Sequence, residues 1–379
     1  MNTRIAIVGG GPGGLTLARI LHQGGREVTV LERESSFVYR PQGGSLDIHA
    51  DSGQIALAKA GLTAEFQRIA RHQDQEMRLY DSDGTLRLLD ESSEGGRPEV
   101  DRGHLRQMLL DSLPQGMVRW NQHVTGVEAQ KDGTCDIVFA DGNRERYDLV
   151  VGADGTWSKV RPAVSASQPE YSGIVFVELG IHDVDRRHPA IAKLVGHGLT
   201  FSLGDSMGLM MHRDANALIG FYAAFHGPVD VYAGKTETEI RAELMRKFSG
   251  WGGNLTSLIA ESDDVVGARG IYWLSPGHRW KHEPGITLIG DAAHVMSPFG
   301  GDGANFALQD AGELAEILLQ KDWRDQLPVF EEAMATRCEG PAAAANAAIL
   351  KAFSPDGFTH SFHMMQQLIP NARAFPAKA

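Results

Sequence analysis

The N-terminus begins with an apolar run, a glycine cluster and a segment with helical spacing. Residues 4–8 (RIAIV) are apolar enough for a strand that is buried on both faces. After the glycines, Leu15, Ala18 and Leu21 recur at the spacing of one helix face. A second strand-like run, EVTVLE, ends at Glu32. The pattern predicts a strand, a helix and a second strand, which together form a βαβ unit.

Two later apolar runs also end at an acidic residue. The run at 148–153 (DLVVGA) leads into Asp154, and the run at 286–289 (ITLI) leads through a glycine into Asp291. After the second run comes a loop rich in proline and glycine, and a helical pattern begins near Ala304. We expect both runs to be buried strands, each delivering an acid to the loop at its end.

The middle and the end of the chain have other patterns. Apolar and polar residues alternate through much of 169–269, with many β-branched and aromatic side chains, which predicts the strands of a second sheet. A helix is predicted at 237–249. The segment 77–90 reads as a hairpin with an Asp-Gly turn that joins this sheet. Helical patterns at 328–353 and 358–369 predict a helical C-terminus.

Composition and charge exclude several classes of protein. The chain has 379 residues, 42% of them hydrophobic and 22% charged, as in an ordinary globular protein. Its formal charge is −12, without a block of Lys or Arg, so we expect no nucleic-acid or membrane partner. Cys135 and Cys338 stand alone, and no metal-ligand spacing predicts a metal. Without a signal-like or membrane-length run, we expect a cytoplasmic monomer.

The first glycine cluster carries a specific chemical hypothesis. Gly9, Gly11 and Gly14 fit the pattern G-x-G-x-x-G directly after a strand and before a helix. Glycines there allow a tight turn and let backbone N–H groups approach a pyrophosphate at the helix N-terminus. Glu32, at the end of the second strand, can accept hydrogen bonds from an adenosine ribose. The pattern predicts a dinucleotide site but does not choose between NAD and FAD.

The trio of an N-terminal G-x-G-x-x-G, a middle Asp-Gly and a late Gly-Asp resembles the class A flavoprotein monooxygenases, the para-hydroxybenzoate hydroxylase-like group. The likeness runs from Arg4 to about Ala315. It implies FAD as cofactor, with Asp291 on its ribityl chain. It also implies that the loop 298–303 and the helix after it offer N–H groups to the pyrimidine side of the flavin, where reduction develops negative charge.

A narrower resemblance surrounds the string GGSLDIH and the segment EVDRGHLRQMLLDSL. Both are similar to the tetracycline-inactivating flavin monooxygenases, the tetracycline destructases. The likeness implies that Arg40 contacts NADPH and that Asp47 and Arg106 contact FAD. It also implies a polar substrate contact at Glu178. Asp302 departs from the pattern, because relatives commonly carry Gln between these glycines, so the chain's use of tetracycline itself is left open.

The expectations can be stated residue by residue. The expected cofactor contacts are Gly9, Gly11, Gly14, Glu32, Arg33, Arg40, Asp47, Arg106, Asp154, Asp291, Pro298, Gly301, Gly303, Ala304 and Asn305. The expected substrate contacts are Glu178, Met211, Phe221, Pro298 and Gly301. We name no catalytic acid, base or nucleophile; His294 is expected to orient its loop by hydrogen bonds.

The expected fold class is α/β, with a Rossmann-like FAD-binding domain, a mixed β-sheet substrate domain and C-terminal helices. The FAD-binding domain is expected at 1–76, 98–168 and 269–327, and the substrate domain at 77–97 and 169–268. The helices of 328–379 are expected to bridge the two domains.

The resemblance implies a reaction. NADPH reduces FAD, dioxygen adds to give a flavin C4a-hydroperoxide, and one oxygen atom passes to an aromatic or polycyclic, tetracycline-like small molecule. If the substrate were tetracycline, the activity would confer antibiotic resistance. Two alternatives stay open: a flavin oxidoreductase or oxidase that inserts no oxygen, and a non-enzymatic flavin-binding sensor.

Overall fold

The structure is a computed structural model that describes residues 3–37, 44–91, 96–369 and 371–377. Within these residues the strands are β1 (Ile5–Val8), β2 (Val28–Leu31), β3 (Ser45–Asp47), β4 (Glu76–Tyr80), β5 (Leu86–Asp90), β6 (Glu99–Asp101), β7 (Val118–Arg119), β8 (Val124–Ala129), β9 (Cys135–Phe139), β10 (Arg144–Tyr147), β11 (Leu149–Gly152), β12 (Glu170–Ile181), β13 (Gly198–Gly204), β14 (Met207–Asp214), β15 (Leu218–His226), β16 (Asp264–Trp273), β17 (Ile286–Leu288) and β18 (Arg373–Ala374).

The helices in the same part of the chain are α1 (Pro12–Gln23), α2 (Gly53–Lys59), α3 (Thr63–Ile69), α4 (Arg102–Asp111), α5 (Val184–Arg187), α6 (Pro189–Val195), α7 (Glu237–Lys247), α8 (Gly253–Ala260), α9 (Asp291–His294), α10 (Asp302–Leu318), α11 (Trp323–Ala352) and α12 (Gly357–Leu368). None of the helices in the described ranges combines the length and apolar character that a membrane crossing requires.

A five-stranded parallel sheet, in the order β17-β11-β1-β2-β7, forms the first half of the molecule. Every residue of β1, β11 and β17 is buried, because helices cover the sheet. Leu15 of α1 and Leu314 of α10 belong to the same apolar core as these strands. Parallel strands end at one common edge, so the loops after β1, β11 and β17 meet there.

A second, mixed sheet has the strand order β16-β12-β15-β14-β13-β4-β5-β18. Its described pairings are antiparallel except for the parallel pair of β13 and β4. The predicted hairpin is confirmed as β4 and β5, with a turn around Asp83 and Gly84. The mixed sheet and the helical C-terminus are therefore confirmed.

The two faces of this sheet have different partners. One face, called the outer face, carries Val177, Met211 and Phe221 in a core shared with helices α7 and α8. The other, the inner face, carries Phe176 and Met210 in a core shared with the ends of α11 and α12. Side chains alternate along each strand, so neighbouring residues belong to opposite cores.

Two smaller sheets were not predicted from the sequence. One is the three-stranded antiparallel sheet β10-β9-β8. The other is the two-stranded ribbon of β3 and β6, which pairs Asp47 with Glu99 and Ser45 with Asp101. The division into domains stays a prediction, but three of its boundaries fall inside elements: the boundary after residue 76 lies within β4, that after residue 268 within β16, and that after residue 327 within α11.

Candidate functional site

The glycine loop after β1 has one side packed and one side open. Gly9 has a φ of +111°, and a Cβ there would lie 2.3 Å from the carbonyl oxygen of Ala153. A Cβ on Gly14 would lie 2.2 Å from the carbonyl oxygen of Gly9. Around Gly11 no atom lies within 4 Å of such a Cβ. Gly9 and Gly14 thus allow the turn and its close packing, while Gly11 leaves room for a ligand at the start of α1.

Glu32 and Arg106 hydrogen-bond to the backbone of this loop at Gly10. One carboxylate oxygen of Glu32 accepts the N–H of Gly10 at 2.8 Å. Arg106 is buried, donates through Nε to the carbonyl of Gly10 at 2.9 Å and pairs with Glu34 at 2.7 Å. With its charge balanced by glutamates, Arg106 positions the loop, and a direct role on a phosphate is not supported. Arg33, next to Glu32, is exposed.

Asp154 lies beside the glycine loop at the end of β11. One of its oxygens accepts the N–H of Lys159 at 2.6 Å. The other oxygen is buried and has no hydrogen-bond partner in the described part of the chain. Burial raises the pKa of this carboxyl, against the hydrogen bonds of Ser158 and of backbone N–H groups. An orphaned oxygen at this edge fits a ligand that brings a donor.

Asp291 joins the late junction to the middle one. It is the first residue of α9, and it follows Gly290, whose φ is +59°. The hydroxyl of Thr156 donates to Asp291 Oδ2 at 3.4 Å, so the loops after β11 and β17 meet. The side chain is half-buried, and its other oxygen makes no described hydrogen bond. It can therefore accept hydroxyl groups of a ligand.

A buried network, called the Asp310 anchor, fixes the same loop; it consists of Gly290, His294, Asp310 and Arg337. One oxygen of Asp310 accepts the N–H of Gly290 at 2.9 Å and the Nε2–H of His294 at 2.6 Å. The other accepts from Arg337 at 2.6 Å. Burial opposes charge on His294, but the Asp310 carboxylate outweighs it and raises the pKa well above its ordinary value. His294 is thus a positioning residue, as expected.

The loop 298–303 lies against the ribbon of β3 and β6. Gly301 has a φ of +71°, and a Cβ there would lie 3.2 Å from Asp47 Oδ1. Helix α10 begins at Asp302, two residues before the predicted start at Ala304. The side chain of Asn305 donates to the carbonyl of Asp47 at 2.8 Å.

The amide oxygen of Asn305 accepts the N–H of His49 at 2.8 Å, so this side chain holds β3 in place and is not free for a cofactor. Pro298 is exposed, and Gly303 and Ala304 are half-buried in the first turn of α10. Their backbone remains available at the positive end of the helix.

Arg102, which sequence reasoning passed over, lies inside the cleft between the two sheets. Its side chain is exposed, and desolvation by the surrounding protein lowers its pKa. Its charge neighbours are Tyr222, Arg269 and Glu178 of the mixed sheet and Asp291 of the loop after β17. The sequence DRGHLR contains two arginines, and the resemblance implied that Arg106 contacts the cofactor. The signal for Arg102 was its place at the first residue of α4, where a cation opposes the helix dipole.

The substrate contacts expected at Met211 and Phe221 are corrected by the structure. Both side chains are on the outer face, with 0% and 1% of their surface exposed. Because the strand period is two, the residues next to them, Met210 and Tyr222, take the inner face instead. Glu178 is half-buried on the inner face, opposite Tyr222 in register.

An acidic cluster borders the cleft where β6 approaches the end of β14. Arg71 pairs with Asp101 and with Asp74 at 2.8 Å, and donates to Ser45 at 3.0 Å. Ser45 donates a very short hydrogen bond to Glu99. Burial raises the pKa of Glu99 to about 7.

The carboxyl of Asp214, at the end of β14, has a raised pKa like that of Glu99. Burial, and then the charge of Asp101, raises its pKa to about 7. One of its oxygens is buried without a hydrogen-bond partner in the described chain. The cluster therefore holds two carboxyls that change charge near neutral pH.

Taken together, the residues at the sheet edge fit FAD. The open glycine loop suits a pyrophosphate, Glu32 a ribose, and Asp291 a hydroxylated chain. Arg102 and the start of α10 face the same cleft and suit the flavin ring. Arg40 lies outside the described residues.

Comparison with known proteins agrees with this geometry. A family model described as "FAD binding domain" matches residues 2–225 and 277–321, more than half of the chain. The chain is 30% identical over 371 residues to "Monooxygenase asqM" of Emericella nidulans, covering 83% of each protein. It is 32% identical over 341 residues to "3-amino-4-hydroxybenzoate 2-monooxygenase PtmB3" of Streptomyces platensis, covering 83% of this chain and 79% of that protein.

Among solved structures, the tetracycline destructase Tet(51) superposes with a TM-score of 0.71 at 22% identity, over 100% of both chains. That likeness concerns the fold. The expected resemblance to class A flavoprotein monooxygenases and the expected fold class are confirmed. The chain therefore belongs to the FAD-binding-domain family, among its flavin-dependent monooxygenases.

Proposed function

We propose that this protein uses NAD(P)H and dioxygen to hydroxylate an electron-rich aromatic or polycyclic small molecule. The observation that carries the proposal is the cleft itself. The inner face presents Glu178, Tyr222 and Arg269 toward the edge where Asp291 and Arg102 lie. A substrate between them lies against the ring that these loops are built to hold.

Bound FAD supplies the redox chemistry, accepting hydride and activating dioxygen. The chain's own residues bind, orient and exclude water. The glycine loop and Asp291 fix the position of the dinucleotide. The start of α10 offers backbone N–H groups to developing negative charge, which helps without a basic side chain. Phe299 packs near Phe201, with ring centroids 6.2 Å apart, against the apolar core of the inner face.

We propose that NADPH is the reductant and that Arg40 binds it. The chain has a single G-x-G-x-x-G, which favours transient docking of the nicotinamide over a domain of its own. Arg40→Ala should raise the KM for NADPH about ten- to hundredfold, with normal FAD content, because a charge-assisted contact contributes about 1.5–3 kcal/mol. Stopped-flow reduction at varied NADPH concentrations measures this; an unchanged concentration dependence would refute it.

The substrate class rests on the aromatic lining of the cleft and on the names of relatives. PtmB3 is named for an aminohydroxybenzoate and Tet(51) for tetracyclines, and both of these substrates carry phenol groups. With either substrate, Glu178 can accept a hydrogen bond from a hydroxyl or an amine group. We favour a small phenol, because the rings of Phe176 and Tyr222, with centroids 5.5 Å apart, give the inner face an aromatic surface beside Glu178.

The deciding experiment follows NADPH and oxygen consumption by the FAD-loaded protein with phenols, aminophenols, polycyclic polyketides and tetracyclines. A product heavier by one oxygen atom, formed in proportion to NADPH, supports the proposal. NADPH use that yields only hydrogen peroxide with every compound would instead favour the oxidase alternative. A protein that binds FAD but never consumes NADPH would favour the sensor.

A further inference from the structure

Three strands bring polar side chains to one corner of the inner face. Glu178 on β12 lies opposite Tyr222 on β15, and Phe176, two residues before it, pairs with Arg269 on β16. All of these side chains share the face that carries Phe176 and Met210. We call Glu178, Tyr222 and Arg269 the polar corner. Its members come from three adjacent strands, so the sheet itself fixes their spacing.

The polar corner holds charges that the protein does not pair with each other. Arg269 places its guanidinium over the ring of Tyr222, 4.9 Å from the centroid. Neither Arg269 nor Glu178 makes an ion pair in the described part of the chain. A carboxylate and a guanidinium that face one cleft without meeting leave both a free acceptor and free donors.

Arg102 is a charge neighbour of all three members of the polar corner and of Asp291. Its backbone N–H donates to Gly44 at 3.1 Å, which ties it to the chain segment before β3. A Cβ on Gly44 would lie 3.5 Å from the hydroxyl of Tyr222, so Gly44 lies beside the polar corner. Arg102 therefore adds a second positive charge near Glu178, while neither Glu178 nor Arg269 makes an ion pair among the described residues.

From this geometry we propose that the polar corner selects substrates carrying a hydrogen-bond donor and an acceptor oxygen on adjacent ring carbons, such as ortho-aminophenols. Glu178 accepts from the amine or hydroxyl donor. Arg269, supported by Tyr222, donates to the neighbouring oxygen. The proposal rests on the proposed function and narrows its substrate class. A simple phenol covers the half-buried Glu178 without giving it a hydrogen-bond donor, which costs affinity because the acceptor loses water and gains no partner.

The test compares ligands that differ by one amine, in the FAD-loaded protein without reductant. Phenol is compared with 2-aminophenol, and 4-hydroxybenzoate with 3-amino-4-hydroxybenzoate, each titrated through the change in flavin absorbance. In the wild type we expect the amine to tighten binding about tenfold. In Glu178→Gln that ratio should fall close to one. In Arg269→Gln both members of a pair should weaken by about tenfold, because the oxygen is common to both.

Controls separate recognition from damage. Glu128→Gln and Arg144→Gln break an exposed ion pair on the three-stranded sheet and should leave every ratio unchanged. Tyr222→Phe, which keeps the ring under Arg269, gives a second variant if Glu178→Gln fails to hold FAD; it should weaken both members of a pair. An amine ratio that is the same in the wild type and Glu178→Gln overturns the proposal. So does a wild type that binds none of the four ligands.

The outcome is distinct from that of the proposed function. Oxygenation of some aromatic compound together with an unchanged amine ratio defeats the polar-corner proposal alone. Failure to form any oxygenated product, with ligands still discriminated by Glu178, defeats the proposed function and leaves the binding assignment in place.

Discussion

At the scale of single residues, Asp291 has few hydrogen-bond partners within the protein. Its carboxylate lies where two loops meet, with one described contact, the hydroxyl of Thr156. The same edge is otherwise built from glycines and backbone N–H groups. A group with so few protein partners serves a ligand more than the fold.

Asp291→Ala should therefore weaken FAD binding while the fold survives. Loss of hydrogen bonds to a charged acceptor costs about 1.5–3 kcal/mol, or about ten- to hundredfold in affinity. FAD content after purification and titration of the apoprotein measure it, with circular dichroism to check the fold. Asp132→Ala, in an exposed turn, is the matched control. Equal FAD affinity in Asp291→Ala and wild type would remove Asp291 from the site.

Glu99 gives a prediction in pH. Burial raises its pKa from 4.5 to about 7, so the folded state keeps a proton that the unfolded chain releases. The part of the free energy of unfolding that depends on the Glu99 proton is fully present below pH 4.5 and is lost as the pH rises through about 7. Glu99→Gln resembles the protonated form, so its Tm relative to wild type should rise between pH 5 and pH 8.

At about 1.4 kcal/mol per pH unit, the change can reach a few kcal/mol. Thermal unfolding at pH 5, 6, 7 and 8 measures it. Glu128→Gln, whose carboxylate is exposed, should show no such rise. A Tm difference for Glu99→Gln that is constant across this range would contradict the assignment.

At the scale of elements, the Asp310 anchor connects three helices. Asp310 of α10 receives the backbone of Gly290 and His294 of α9, and Arg337 of α11. The position of Asp291 thus depends on how α10 and α11 pack. The loop after β17 is short, and its hydrogen bonds to the buried Asp310 carboxylate fix its position more firmly than its own backbone can.

Asp310→Asn should lower stability strongly and loosen FAD. The change leaves a charged His294 buried without its carboxylate, and it takes one of two carboxylate partners from the half-buried Arg337, which costs about 3–5 kcal/mol in all. Differential scanning fluorimetry with and without FAD measures the loss. Glu313→Gln removes only the half-buried partner of Arg337 and should cost about 1 kcal/mol or less. Equal effects of the two changes would show that Asp310 is no anchor.

At the scale of the whole molecule, the two faces of the large sheet have separate tasks. The outer face is closed by α7 and α8, and the inner face is shared between helix ends and the cleft. Adjacent residues of one strand, Phe221 and Tyr222, therefore have unrelated roles.

Phe221→Ala and Tyr222→Phe should differ in kind. Phe221→Ala opens a cavity in a closed core and should cost about 3–5 kcal/mol of stability. Tyr222→Phe keeps the ring, so its Tm should stay close to wild type while ligand affinity falls. Thermal unfolding and the ligand titrations above measure both. A stable Phe221→Ala with altered ligand binding would return Phe221 to the cleft.

Much of the fold was readable in local patterns. The βαβ unit, the three strand ends with glycines or acids, the hairpin and the C-terminal helices follow from apolar spacing and turn chemistry within short windows. The two smaller sheets could not be read from local patterns, because the strands β8 to β10 are short and β3 and β6 have only three residues each. Their pairing depends on contacts far apart in the sequence.

For the site, the chain alone fixed which residue types stand at strand ends, because glycine and acid chemistry acts through the local backbone. It did not fix which arginine of DRGHLR faces the cleft, or which face of β14 and β15 turns inward. The alternation of side chains along a strand tells which residues share a face of the sheet. Which face is left open to a ligand depends on the elements that pack against the opposite face. Here α7 and α8 cover Met211 and Phe221, and that packing leaves Glu178, Tyr222 and Arg269 to the cleft.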